Sequence, residues 1–107
     1  MTKESSVKIG LIGAAGRMGK AIQEAASQQD IQLSGGIGRK GAEFGSYNDS
    51  ESLAKASDVL IDFSTAAALK DNIEAALHHK KPIIIGTTGL TEADHQLIEQ
   101  AASKIPV

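Results

Sequence analysis

The 107-residue sequence contains no cysteine and no tryptophan, and its aromatic content of 3% comes from one tyrosine and two phenylalanines. Without cysteine there is no disulfide framework and no thiolate ligand or nucleophile, which is compatible with a cytoplasmic protein. So few aromatic rings leave no platform on which nucleobases could stack, and a formal net charge of −2 provides no long-range attraction for a polyanion. Nucleic acid is therefore excluded as a partner. No apolar stretch approaches the roughly 20 residues of a membrane span, and the polar opening Met1 to Ser6 is not followed by a signal-peptide core. A cytoplasmic location without membrane contact is expected. His78, His79 and His95 have no carboxylate or cysteine at ligand spacing, so they read as surface residues and no metal site is expected. Nothing pairs a nucleophile with a base, and no catalytic residue is assigned.

What is present is glycine in a particular place. The run Val7 to Gly19, V-K-I-G-L-I-G-A-A-G-R-M-G, passes from a β-branched strand pattern into three glycines set three residues apart. Gly13 would let the chain bend sharply, Gly16 would let a phosphate approach the main chain, and Gly19 would let a new helix pack closely on the sheet. A helix N-terminus carries free N–H groups and about half a positive charge, so it suits an anion such as a dinucleotide pyrophosphate. The common G-x-G-x-x-G pattern is not met, because Ala15 stands where its second glycine would be. Spacing alone also fits a turn that packs a helix on a strand and binds nothing.

The rest of the chain alternates. Apolar spacing predicts a helix from Arg17 to about Ser27 with Met18, Ala21, Ile22, Ala25 and Ala26 inward, then a strand from Ile31 to Ile37. Gly38 to Ser50 reads as a loop, followed by a short helix through Lys55 capped by Ser50 or Ser52. Asp58 to Phe63 reads as a strand buried on both faces, and Ser64 or Thr65 as the cap of a helix with Leu69, Ile73, Ala76 and Leu77 inward. Pro82 opens another strand. Thr91 and Asp94 form a capping-box pattern before a helix with Ala93, Leu97, Ile98, Ala101 and Ala102 inward, and Ile105 to Val107 would begin a fifth strand. This order predicts an α/β fold, a Rossmann-like doubly wound parallel sheet in three α/β/α layers, with its ligand at the carboxyl ends of the strands.

Three loops would meet there. The first spans Gly13, Ala14, Ala15, Gly16, Arg17 and Met18. The second, Gly38-Arg39-Lys40, carries two cations where dinucleotide sites usually place a carboxylate, which favours a 2′-phosphate and so NADPH over NADH. A solvated pair of surface charges is the alternative. The third, Gly86-Thr87-Thr88-Gly89, could hold a nicotinamide carboxamide and ribose, or simply turn the chain onto the helix at Thr91. Asp62, inside an apolar strand, reads as an acceptor for nearby backbone N–H groups, since an unpaired carboxylate there would be costly.

The segments G-A-A-G-R-M-G at 13 to 19, D-V-L-I-D-F-S at 58 to 64 and P-I-I-I-G-T-T-G-L-T at 82 to 91 resemble, in order and spacing, the N-terminal domain of the dihydrodipicolinate reductase family. The resemblance implies a bacterial enzyme of the lysine and diaminopimelate route that passes a hydride from NADPH or NADH to a cyclic unsaturated dicarboxylate. It implies that Gly13 to Met18 hold the pyrophosphate and Arg39 the 2′-phosphate. It sets Phe63 and Ser64 along the cofactor groove, with Gly86, Thr87 and Thr88 on the nicotinamide side. Many members carry Glu just before that arginine, whereas this chain has Gly38. The family's histidine-rich motif, its proton-donating lysine and its homotetramer interface belong to a second domain, which is not matched within residues 1 to 107. The expectation is a cofactor-binding domain, truncated from the whole enzyme, inactive alone and possible as a monomer. A stand-alone nucleotide-sensing domain and the nucleotide domain of another amino-acid dehydrogenase are the competing readings.

Overall fold

A computed structural model describes residues 7–29, 31–39, 41–87 and 89–107. Nine regular elements follow in order: β1 (Lys8–Ile12), α1 (Arg17–Gln29), β2 (Gln32–Gly38), β3 (Gly41–Phe44), α2 (Ser50–Ala56), β4 (Val59–Asp62), α3 (Leu69–His78), β5 (Ile83–Ile85) and α4 (Glu92–Ala102). A single turn of 3-10 helix, Ala66–Ala68, precedes α3.

The strands form one sheet in the order β3-β2-β1-β4-β5. β1 lies parallel to β2 and β4, and β4 parallel to β5. Strand order reverses at β1, so the chain winds outward in both directions from it, as right-handed crossovers require. α2, α3 and α4 pack in a row on one side, and α1 packs against β2. The main core gathers Ile12, Ile37, Leu53, Leu60, Ala75, Ala76 and Ile83, while Leu69, Ile73 and Ala101 form a second cluster between α3 and α4. The doubly wound α/β fold read from the alternation of elements is the fold found. No described helix is long and apolar enough to cross a membrane.

Several local expectations need correction. Residues 41 to 44, read as loop, form β3 and pair antiparallel with β2, so the sheet is mixed at this edge. Glycine-rich sequence hides a strand here because the ladder uses backbone groups, which Gly41 supplies as well as any residue. α1 does not bury the face its alanines suggest: Gly19 and Ala26 are buried, whereas Met18, Ala21 and Ala25 are exposed. The bare backbone of Gly19 packs directly on the loop at Gly13 and Ala14, and this contact sets which face is buried. In α4 likewise Ala101 is buried, but Ala93 and Ala102 are exposed.

The cap of α2 is Asp49, not Ser50 or Ser52; its carboxylate accepts from the Ser52 amide at 2.8 Å. That backbone bond, followed by one from the Ser52 hydroxyl, holds the Asp49 carboxyl below its usual pKa. Thr65 caps the 3-10 turn without a side-chain bond. β4 is covered less completely than a two-sided burial requires, since Leu60 and Asp62 are buried and Val59 and Ile61 only half-buried. Ile105 to Val107 do not form a strand, although the Pro106 carbonyl accepts from the Ile83 amide at 3.1 Å beside β5. His78 and His79 do meet a carboxylate, across space: Glu51 of α2 takes His78 Nδ1 at 2.8 Å and His79 Nε2 at 3.1 Å.

The capping box at α4 forms as read, with Thr91 Oγ1 accepting from the Asp94 amide at 3.2 Å and Asp94 accepting from the Thr91 amide at 2.8 Å. Thr91→Ala is expected to lower stability by about 1 kcal/mol in a urea melt. A change below about 0.3 kcal/mol would show that the cap is dispensable.

Candidate functional site

The carboxyl end of β1 defines the site. Gly13 turns the chain with φ +85°, and its amide and that of Ala14 both donate to the Ile37 carbonyl, at 2.9 and 3.0 Å. This ties the loop to the end of β2. A side chain at Gly13 would have Phe63 carbonyl carbon at 2.7 Å, so the turn leaves no room for a Cβ between β1 and β4. At Gly19 a Cβ would strike the Gly13 carbonyl and come within 2.8 Å of Ala14 Cα. The helix can start only because that position is bare. Gln23 donates through Nε2 to the Ala14 carbonyl at 2.9 Å, clamping the loop from the first turns of α1.

Gly16 differs. A Cβ there would meet only the Gly13 carbonyl, at 3.5 Å, so steric room lies above it. Among the described residues the amides of Ala15, Arg17 and Met18 have no backbone acceptor. Free amides at a helix start with open space before them form a cradle for an anion.

A cleft of about 440 Å³ opens from this cradle. That falls within the range of roughly 300–1,000 Å³ usual for small-molecule sites. One wall is Ile12, Gly13, Ala15 and Gly16, the second Ile37, Gly38 and Arg39, the third Phe63, Ser64, Thr65, Ala68 and Asn72. Of the residues singled out in the sequence, Gly13, Ala15, Gly16, Arg39, Phe63 and Ser64 therefore share one cavity. Ala14 is buried beneath the loop, and Arg17 and Met18 stand exposed at the start of α1. Gly86 and Thr87 follow β5, the next strand along the sheet from β4, and do not line the cleft. The Phe63 ring packs on Gly86, and Thr87 Oγ1 donates to the Asp62 carbonyl at 3.4 Å. Lys40 and Thr88 lie outside the described residues.

The third wall is held by a buried polar network that the sequence showed only in part. Asp62, fully buried, accepts from the Ser64 amide at 2.8 Å, from the Ser64 hydroxyl at 2.5 Å and from Asn72 Nδ2 at 3.0 Å. Asn72 Nδ2 also reaches Ser64 Oγ at 3.2 Å. Asp62 is the acceptor its apolar setting called for, but side chains supply two of its three donors. Because a carboxylate only accepts, it fixes the Asn72 amide with nitrogen towards Asp62. Asn72 went unnoticed in the sequence, although a signal existed: it is the polar member of the otherwise apolar stripe Leu69, Ile73, Ala76. Among the described residues no group of three or more His, Cys, Asp or Glu is placed to hold a metal ion.

A doubly wound sheet with an anion cradle at the β1 to α1 turn and a cleft at the switch point defines a Rossmann-type domain. The chain belongs to the family described as dihydrodipicolinate reductase, N-terminus, whose profile matches residues 7–107. Similar proteins named 4-hydroxy-tetrahydrodipicolinate reductase occur in Granulibacter bethesdensis, 35% identical over all of this chain and 43% of the relative, and in Acidiphilium cryptum, 39% identical over 96% and 39%. The Rickettsia canadensis protein of the same name is 38% identical over 94% of this chain and 41% of its own. The chain thus spans about two fifths of these relatives. Among solved structures, Plasmodium falciparum pyrroline carboxylate reductase with NADP bound superposes with a TM-score of 0.65 at 16% identity, over 94% of this chain and 38% of that one. This likeness concerns the fold.

Proposed function

We propose that this chain is the dinucleotide-binding part of an NAD(P)H-dependent reductase acting on dihydrodipicolinate, formed from 4-hydroxy-tetrahydrodipicolinate, in lysine and diaminopimelate synthesis. The observation that carries this is the single cleft that joins Ala15 and Gly16, at the loop with the unpaired amides of Ala15, Arg17 and Met18, to Arg39. The amides would take the pyrophosphate, Arg39 the 2′-phosphate, and Phe63 and Ser64 the groove between. Gly86 and Thr87, further along the edge, would face the nicotinamide together with Thr88, and Lys40 would add to the charge that Arg39 brings. NADPH is the preferred cofactor, with NADH also accepted. The nicotinamide supplies the hydride; this chain binds and orients it. The proton donor and the pocket for the cyclic dicarboxylate belong to a further domain, as does the homotetramer interface, so residues 1–107 alone bind cofactor without turnover. The enzyme is placed in the cytoplasm.

Arg39→Ala is expected to weaken NADPH binding about tenfold or more and NADH binding little, because only NADPH offers the 2′-phosphate to a charge-assisted bond. Isothermal titration reads both, and equal losses for the two cofactors would contradict the role. For the reaction, a polypeptide joining this chain to the remaining part of a relative is expected to oxidise NADPH with the aldol product of pyruvate and aspartate semialdehyde. Turnover of a homoserine-type substrate instead would overturn the assignment.

A further inference from the structure

Gly38 removes a side chain from the position, at the end of β2, where dinucleotide domains usually carry the carboxylate that accepts the adenosine ribose hydroxyls. The space beside it is occupied by another residue of the same chemistry. A Cβ built on Gly38 would lie 2.7 Å from Glu43 Oε2 and 3.3 Å from Glu43 Cδ, so the carboxyl group of Glu43 packs against the place where a side chain of residue 38 would begin. The backbone explains how it gets there. β2 and β3 pair Ile37 with Ala42 but Gly36 with Phe44, so the register shifts and Glu43 is the extra residue of a β-bulge. Bulges re-aim one side chain out of the regular alternation, and this one turns Glu43 across the strand onto Gly38. Gly38 and Arg39 line the cleft, whereas Glu43 is not part of its lining and stands exposed beside Gly38.

We propose that Glu43 supplies from β3 the ribose-recognising carboxylate that the end of β2 lacks, and so determines the cofactor specificity of this chain. An ionised carboxylate accepts both hydroxyls of an unphosphorylated ribose and opposes a 2′-phosphate. Arg39 does the reverse. The two together make the site accept NADH as well as NADPH, with the balance held by one residue on each strand. Glu43 acquires this role only if the cleft holds a dinucleotide, as proposed above.

Titrations of NADH and NADPH against the 107-residue chain and its Glu43→Gln variant test this. Glu43 is exposed, so the variant is expected to fold like the parent. The expected result is a loss of NADH affinity of about tenfold or more, since bonds to a charged acceptor exceed those to a neutral one, with NADPH affinity unchanged or raised. The Gly38→Glu, Glu43→Ala double variant, which moves the carboxylate to β2, is expected to recover NADH binding. A ratio of NADH to NADPH affinity that stays within about twofold in Glu43→Gln overturns the role of Glu43 while leaving the cofactor site standing. Failure of the parent chain to bind either dinucleotide overturns both.

Discussion

Gly19→Val is expected to abolish measurable NADPH binding and to lower the stability of the chain by about 1–3 kcal/mol, the usual cost of forcing extra methyl groups into a packed contact. The Gly13 carbonyl and Ala14 Cα occupy the place of its Cβ, both of them backbone, so no side-chain rotation relieves the overlap. α1 must retreat from the loop, and the amides of Ala15, Arg17 and Met18 lose their common focus. Gly16→Val separates binding from folding. Its Cβ would meet only the Gly13 carbonyl at 3.5 Å, so stability is expected to stay within about 0.5 kcal/mol of the parent while the valine blocks the approach of a phosphate. Urea melts and calorimetric titration read the two quantities. NADPH affinity within about threefold of the parent in Gly16→Val would show that phosphate does not sit over this loop.

Asp62→Ala carries the other large expected effect, a loss of about 3 kcal/mol or more, because it strands the Ser64 amide, the Ser64 hydroxyl and Asn72 Nδ2 without their shared acceptor. The cost falls on the β4 to α3 connection, which forms one wall of the cleft, so cofactor affinity is expected to fall with stability. Asp62→Asn is expected to be milder. Its amide oxygen still accepts from Ser64, and Asn72 can answer by turning its own amide. A loss below about 1 kcal/mol for Asp62→Ala would mean that water or a neighbour replaces the carboxylate readily.

The elements around β1, β4 and α4 were legible because their residues carry the information locally. Ile9, Leu11 and Ile12 announce a strand, Gly13 its turn, and Thr91 with Asp94 the start of a helix. β3 was not legible: Gly41 to Phe44 have little strand character, and they are held by pairing with β2 from outside the segment. The same holds for the bulge at Glu43, which exists only in the register between two strands. The inward face of α1 was misread because small apolar residues were counted as core, whereas the contact is decided by the bare backbone of Gly19 and the reach of Gln23 to Ala14. In the site, the glycine loop and Arg39 could be named from spacing and charge. Asn72 left only the trace of a polar residue in an apolar stripe and Glu43 left none, since each is defined by a partner on another element: Asp62 of β4 for one, Gly38 of β2 for the other.

The most direct measurement is an NADPH titration of the isotopically labelled 107-residue chain, following backbone amides by NMR. Saturable binding is expected, with the largest shifts at Ala15, Arg17, Met18 and Arg39. No saturation at millimolar NADPH, or shifts confined to residues away from the Gly13 to Met18 loop, would contradict the assignment of this cleft to a dinucleotide.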